Sequence, residues 1–350
     1  MRRLLLFAIF GLAALVGCDT AALETESQVV VEAYLEAGEP MDSVRLTRTA
    51  RASAESTPER TAVQGADVQV QRLNDSGGVA ATVSYTETDS TDGLYIPEPE
   101  TPATVKPQGT YRLRAAPPEG PVVTAETTVP APVEAVRTQN DTTTYPDPDD
   151  ENSDPPQFEL TVRPGPSALE RQNVYVLTSR SLLELQSIPA SPPDSVAGRL
   201  LTPFYLEQYD ADSDTLASFR VNSSGLLNEA NFTSNDDGTV SITLPWLAVA
   251  FYGPNQVRAS VVDNNLYDFL RTQSAQQMSL APGEIPNIDE DIENGTGIFG
   301  SFAEASGKVL IRPPALTAHA IPLRPGCLLF RRGVTRPRPP RPGLPRTGPG

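Results

Sequence analysis

Apolar and polar residues alternate with period two in a series of short runs along the first third of the chain. Val29-Val30-Val31-Glu32-Ala33-Tyr34-Leu35 is followed by the turn residues Gly38 and Pro40, and Val44 and Leu46 then alternate with Arg45 and Thr47. The same rhythm recurs in Val68 and Val70, in Val79, Ala81, Val83 and Tyr85, in Tyr111, Leu113 and Ala115, and in Val123, Ala125, Thr127 and Val129. Side chains two apart share a face of a strand, so each run predicts a strand with one buried and one solvated face. Six such strands separated by Gly, Pro, Asn and Asp predict a β-sandwich over residues 28–133.

A second set of strand signals begins at Phe158-Glu159-Leu160-Thr161-Val162. It continues through Val174 to Leu177, Phe204 to Tyr209, Val240 to Leu244 and Val257 to Val262. One helix is predicted near residues 263–278. The cap-like run Asp263-Asn264-Asn265 precedes Leu266, Phe269 and Leu270 on one face, and the pattern fades near Met278. The predicted fold class is therefore mainly β, an N-terminal sandwich followed by a second β-rich domain (158–312) with one short helix. The turn spacing from Gly65-Ala66 through Gly93-Leu94-Tyr95 to Gly109-Thr110-Tyr111 resembles the prealbumin-like or carboxypeptidase-regulatory type of small sandwich, and the expected N-terminal domain is an immunoglobulin-like or prealbumin-like sandwich. Between the two domains, residues 134–157 contain Asp147-Pro148-Asp149-Asp150-Glu151 and predict an acidic, proline-rich linker or loop.

The N-terminus breaks this pattern. Arg2 and Arg3 precede an apolar run, Leu4 to Val16, that is too short to span a bilayer and reads as a secretory signal peptide (1–17). It ends on Leu15-Val16-Gly17-Cys18, the arrangement of a bacterial lipobox, in which the cysteine is acylated and becomes the new N-terminus. Cys18 is thus the expected lipidation site, carrying chains such as palmitate, with 18–27 as a polar tether. At about 0.8 kcal/mol per buried methylene, two or three acyl chains hold a protein on a membrane permanently.

Composition narrows the chemistry. The formal net charge is −17, and setting aside the two signal arginines and the seven in the acid-free tail takes it to −26 for roughly residues 18 to 312. Such a body repels polynucleotides and anionic headgroups, so no nucleic-acid partner is expected. Lys106 and Lys308 are the only lysines, a usage that fits a GC-rich genome and a salt-adapted host. Cys18 and Cys327 are the two cysteines, which leaves no disulfide framework and no cysteine zinc site. His319 is the single histidine and lies in the tail, so a Ser-His-Asp triad, a Cys-His pair or a histidine-rich zinc site is excluded from the folded body. Residue counting leaves room for a carboxylate-pair glycosidase, yet nothing in the sequence picks out such a pair. The chain is read as a non-enzyme with no cofactor.

Gly295-Thr296-Gly297-Ile298-Phe299-Gly300 satisfies G-x-G-x-x-G, but the acidic run Ile288 to Asn294 before it would repel a pyrophosphate and no βαβ unit follows. The expected role is a structural loop, with glycines at positive φ at Gly295, Gly297 or Gly300 and Phe299 anchored in a neighbouring sheet. Asp210, Asp212 and Asp214 have the opening rhythm of a calcium loop, but Thr215 and Val221 stand where the sixth-position Gly and twelfth-position Glu belong. They are weak metal candidates beside the reading of a solvated turn. Trp246 reads as a sugar-stacking platform or, more simply, as core. Residues 313–350 switch abruptly to Arg, Pro and Gly, as a basic binding arm or a frameshifted end would.

Taken together, Cys18, the Val29 to Leu35 opening, Leu46-Thr47-Arg48-Thr49 and Gly65-Ala66-Asp67-Val68 resemble the outer-membrane lipoproteins grouped as domain of unknown function 4249. So do Tyr267 with Phe269, Asn287, and the close Ile292-Glu293-Asn294-Gly295-Thr296-Gly297-Ile298-Phe299-Gly300. The likeness runs over roughly residues 27 to 302. It implies an envelope lipoprotein, commonly associated with TonB-dependent outer-membrane receptors, with no catalytic residues to carry over. It also implies a chain that ends soon after Gly-Ile-Phe-Gly, a point from which the basic tail departs. The expected role is a non-enzymatic accessory, docking or ligand-presenting partner of a TonB-dependent transporter, anchored by lipid to the outer membrane, with the cell surface and the periplasmic face both open. The rival reading is a surface lipoprotein that binds or acts on polysaccharide. The ligand is not legible.

Overall fold

The computed structural model describes residues 27–50, 58–89, 92–99, 103–139, 141–145, 157–167, 172–183, 200–202, 204–205, 213–244, 248–277 and 291–313. The alternating runs of the first third form β1 (Val29–Glu36), β2 (Val44–Arg48), β3 (Asp67–Leu73), β4 (Val79–Glu87), β5 (Leu94–Pro97), β6 (Thr110–Ala116) and β7 (Val123–Thr128), with a single helical turn, α1 (Pro58–Thr61), before β3. Then come β8 (Val133–Gln139), β9 (Thr142–Thr144), β10 (Phe158–Pro164) and β11 (Val174–Ser181). The short helix α2 (Ser213–Ser218) precedes β12 (Val221–Ser223), β13 (Leu227–Asn228), β14 (Thr233–Ser234), β15 (Val240–Leu244) and β16 (Gly253–Val262). Helix α3 (Asn264–Gln277), β17 (Ile292–Glu293) and the long strand β18 (Gly295–Arg312) complete the order. The protein is mainly β.

The first core is built by the inward members of each alternating run. Val29, Val31, Ala33 and Leu35 of β1 meet Val44 and Leu46 of β2, Val68 and Val70 of β3, Val83 and Tyr85 of β4, Tyr111 and Leu113 of β6, and Val123 of β7. Burying these side chains, at about 25 cal/mol per Å² of apolar surface, is what stabilises strands that are only five to nine residues long. The strand path β1-β2-β5-β4-β3-β6-β7-β17 is antiparallel throughout. Two residues after β17 leaves the far edge, the chain enters β18 and pairs in parallel with β1, Val29 opposite Gly295 through Glu36 opposite Phe302. Asn294 makes this turn with φ of 60°. The sheet therefore wraps a single core, and the strand that follows β17 in the chain, β18, pairs with β1.

β18 then continues into a second layered unit. From Phe302 to Ile311 it pairs antiparallel with β16, and β16 pairs with β11. A four-stranded sheet in the order β14-β15-β10-β8 packs on this face. Phe158, Leu160 and Val162 of β10, Val240, Ile242 and Leu244 of β15, and Val257, Ala259, Val261, Ala303, Ala305 and Val309 fill the space between.

Three expectations need correction. Phe204 and Tyr205, expected to open a strand, are helical, and 206–209 lie outside the described residues. Residues 134–157 were expected as a linker or loop, yet β8 and β9 lie within them, β8 as a full member of the second unit and β9 beside the end of β18. Val133 and the β-branched Thr138 fit a pleated surface, and Thr138 packs so close to Gly307 that a Cβ there would stand 2.5 Å from its hydroxyl. The acidic run 147–151 lies outside the described residues. Gly295 to Gly300, expected as a loop, is the opening of β18. Parallel pairing with β1 satisfies its backbone, and the glycines permit the close approach.

Candidate functional site

β7, β16, α3 and β18 converge on a buried polar node. β16 ends at Val262 and Asp263 caps α3, its carboxylate accepting from the backbone N–H of Leu266 at 2.9 Å and from the Thr127 hydroxyl of β7. Thr127 Oγ1 lies 2.7 Å from Ser301 Oγ of β18, and the Asp263 N–H donates to the Ser301 carbonyl at 3.0 Å. Asn265, in the first turn of α3, donates to the carbonyls of Glu126 at 2.6 Å and Phe299 at 2.9 Å. All three node side chains are buried. Burial pushes the Asp263 carboxyl up to about 6, against the opposing pull of its hydrogen bonds from Thr127, Leu266 and Ser301.

A raised carboxyl pKa means that the folded state holds its proton more tightly than the unfolded chain does. The ionised group is therefore a cost to the fold at neutral pH, on the order of 3 kcal/mol for this displacement from 3.8, and the cost is relieved as pH falls through 6 toward 4. Asp263→Asn keeps the cap acceptor and removes the titration. In urea unfolding, wild type is expected to gain stability relative to Asp263→Asn between pH 7 and pH 4.5. Parallel curves for the two proteins would show that Asp263 ionises freely in the fold.

The outer face of the four-stranded sheet carries a polar trough of about 760 Å³. Registry sets Arg137 of β8 opposite Thr161 of β10, Thr161 opposite Ser241 of β15, and Ser241 opposite Thr233 of β14. At the usual spacing of neighbouring strands this polar row spans about 14 Å. The β14-β15 turn, Asn235-Asp236-Asp237-Gly238-Thr239, forms one wall, with Gly238 at φ of 78° and donating to the Asn235 carbonyl at 3.0 Å. Hydrogen bonds fix the lining. Asn235 Nδ2 donates to Thr239 Oγ1 at 2.9 Å and Ser241 Oγ at 3.2 Å, and Thr239 Oγ1 donates to Asp237 at 2.6 Å. Ser241 and Thr161 both donate to Glu159 Oε1, at 3.2 and 3.3 Å. The Thr239 hydroxyl and N–H, with the Arg163 charge, hold the exposed Asp237 below its ordinary pKa. Thr161 and Thr239 face outward yet are only 6% and 2% exposed, which makes the feature a recess rather than a flat sheet face.

A smaller cavity of about 240 Å³, lined by Tyr34, Glu36, Glu39, Met41, Asp42 and Phe302, lies beside β1. Burial and then the Glu304 charge raise the Glu36 carboxyl, while Glu304 itself, raised by burial, sits 3.3 Å from Arg258.

Cys18, Asp210, Asp212, Trp246, His319 and Cys327 lie outside the described residues, and Asp214 falls in α2. Among the described residues no group of three or more His, Cys, Asp or Glu side chains could hold a metal ion. Gly295, Gly297 and Gly300 sit within a paired strand, so the G-x-G-x-x-G match opens no helix toward a phosphate. The structure brings Gly297 and Phe299 together against β1, with Phe299 only 1% exposed in the first core. The node and the trough were both missed from sequence. Thr127 reads as an inward position and Asp263 as a cap, but their meeting depends on a separation of 136 residues.

The fold and these sites define a mainly β protein of two layered units joined by one long strand. The family model described as Domain of unknown function (DUF4249) matches residues 19–308, and the chain belongs to that family. No curated protein matches it. Among solved structures, trypsin-activated alpha-2-macroglobulin from Escherichia coli is 15% identical, with 68% of this chain and 14% of that chain covered at a TM-score of 0.19. Salmonella alpha-2-macroglobulin reacted with methylamine is 13% identical, with 81% and 15% covered at 0.20. The Escherichia coli protein activated by porcine elastase is 14% identical, with 82% and 23% covered at 0.21. This chain spans less than a quarter of the length of any of these three, and likeness at such TM-scores carries no argument about its fold or function.

Proposed function

We propose that the protein is a non-enzymatic cell-envelope lipoprotein, held on the outer membrane through Cys18, that serves as an accessory or docking partner of a TonB-dependent outer-membrane receptor. The observation that carries the reading is Leu15-Val16-Gly17-Cys18 after a short apolar run that opens on Arg2 and Arg3. The first strand begins at Val29, so a polar spacer separates the acylated cysteine from the folded body. Membership of the family supports the same reading, since the outer-membrane lipoproteins it resembles commonly accompany TonB-dependent receptors.

Cys18→Ser is expected to abolish incorporation of radiolabelled palmitate and to release the protein from the membrane fraction. Unchanged membrane retention of that variant would sink the lipoprotein assignment. Affinity purification of wild type from solubilised membranes is expected to bring down an outer-membrane receptor in stoichiometric amount, and its repeated absence would overturn the docking role. Protease shaving of intact cells distinguishes the cell surface from the periplasmic face.

A further inference from the structure

The geometry points to the trough over β8, β10, β15 and β14 as a binding site for a neutral oligosaccharide. Its lining is a mixture that suits polyols: hydroxyls from Thr161, Thr233, Thr239 and Ser241, the Asn235 amide, the Arg137 guanidinium and the Glu159 carboxylate. A sugar hydroxyl both donates and accepts, and each class of complement is present here at fixed positions. The internal hydrogen bonds from Thr161 through Glu159, Ser241 and Asn235 to Thr239 and Asp237 hold the lining in place before a ligand arrives, which lowers the ordering cost of binding.

The charges decide against other ligands. Among the described residues, Glu159, Asp236 and Asp237 outnumber Arg137 of the lining together with Arg163, whose charge reaches Asp237, so a phosphate, sulfate or uronate would be repelled. Among the described residues Val136 is the one aliphatic side chain in the lining and no aromatic joins it, so an apolar ligand finds no floor. No metal-holding cluster occurs among the described residues. A volume of about 760 Å³ lies within the usual range of small-molecule sites, and the row from Arg137 to Thr233 gives it the length for a short chain of sugar rings. Without stacking, affinity comes from hydrogen bonds alone, so the loss of one or two of them should be plainly measurable.

This site stands apart from the docking role, and either can fail alone: glycan retention needs no receptor, and receptor co-purification needs no glycan. The test applies detergent-solubilised full-length protein to an array of immobilised neutral gluco-, manno-, galacto- and xylo-oligosaccharides beside sulfated and uronate-containing ones. Wild type is expected to be retained on at least one neutral glycan. Arg137→Gln and Ser241→Val should each weaken that retention about tenfold or more, while Arg112→Gln, in a separate groove with Glu126 and Glu293, leaves it unchanged. Arg137 is exposed, so its variant should keep the wild-type melting temperature and report on binding even where Ser241→Val disturbs the sheet. No retention on any neutral glycan, preference for the anionic ones, or retention indifferent to both trough variants would overturn the proposal.

Discussion

Gly297→Ala is expected to lower the melting temperature by about 10 °C or more. Gly297 lies opposite Val31 in the parallel pairing of β18 with β1 and has φ of 109°, a conformation that L side chains rarely adopt. A Cβ there would stand 2.1 Å from the Val31 carbonyl oxygen and 2.9 Å from its nitrogen. Both obstacles are backbone atoms of a strand buried in the first core, so no rotamer change relieves them. Relief requires shifting β1 against β18, at a cost of about 4 kcal/mol or more. Gly225→Ala is the control, since a Cβ there meets nothing within 4 Å. Thermal unfolding followed by circular dichroism reads both, and a Gly297→Ala variant melting within about 2 °C of wild type would show that this contact is loose.

Phe299→Ala is expected to cost about 3–5 kcal/mol, the usual loss when a fully enclosed aromatic is truncated. Phe299 faces Ala33 across the β1-β18 pairing, is 1% exposed, and belongs to the same core as Leu46, Tyr95 and Leu113. Its carbonyl also accepts from Asn265, so truncation loosens the strand to which α3 is tied. Urea unfolding gives the loss directly. Because this stretch is a paired strand and not a phosphate cradle, NAD and ATP are expected to leave the melting temperature of wild type unmoved. A ligand that binds only the folded state must raise it. An undamaged Phe299→Ala variant together with an upward shift from either nucleotide would reverse the reading of the glycine run.

The elements that were legible are those whose burial is one-sided. β1, β6, β7 and β15 alternate strictly, and β3 does so as far as Gln71, because one face meets a core and the other meets water, and β18 was missed because its pattern is of a different kind. Its opening is buried on both faces, from Ile298 through Ser301, and its inward positions further along are Ala303, Ala305 and Gly307, too small to register as a hydrophobic period. β8 was hidden for the opposite reason. It contributes Val133 to the core and leaves Val136 exposed at 46%, so the residues that show its strand character are few, and an acidic stretch follows. Turn chemistry was readable where a glycine marks it, as with Gly38 at positive φ between β1 and β2, because a glycine in a tight turn answers a local steric demand.

By itself the sequence determined what depends on neighbours along the chain: strands with a period of two, the cap at Asp263, the turn at Gly38, the Leu-Val-Gly-Cys run ending on Cys18, and a net negative charge. Only the tertiary structure decided that one strand serves two layered units, that Thr127, Asp263 and Ser301 share a buried node, and that Arg137, Thr161, Ser241 and Thr233 stand in a row. Each of those outcomes is a matter of register between strands far apart in the chain. Register follows from how whole faces pack and how closely two backbones can approach, as at Gly297 against Val31, and no local pattern of residue types encodes which distant partner that will be.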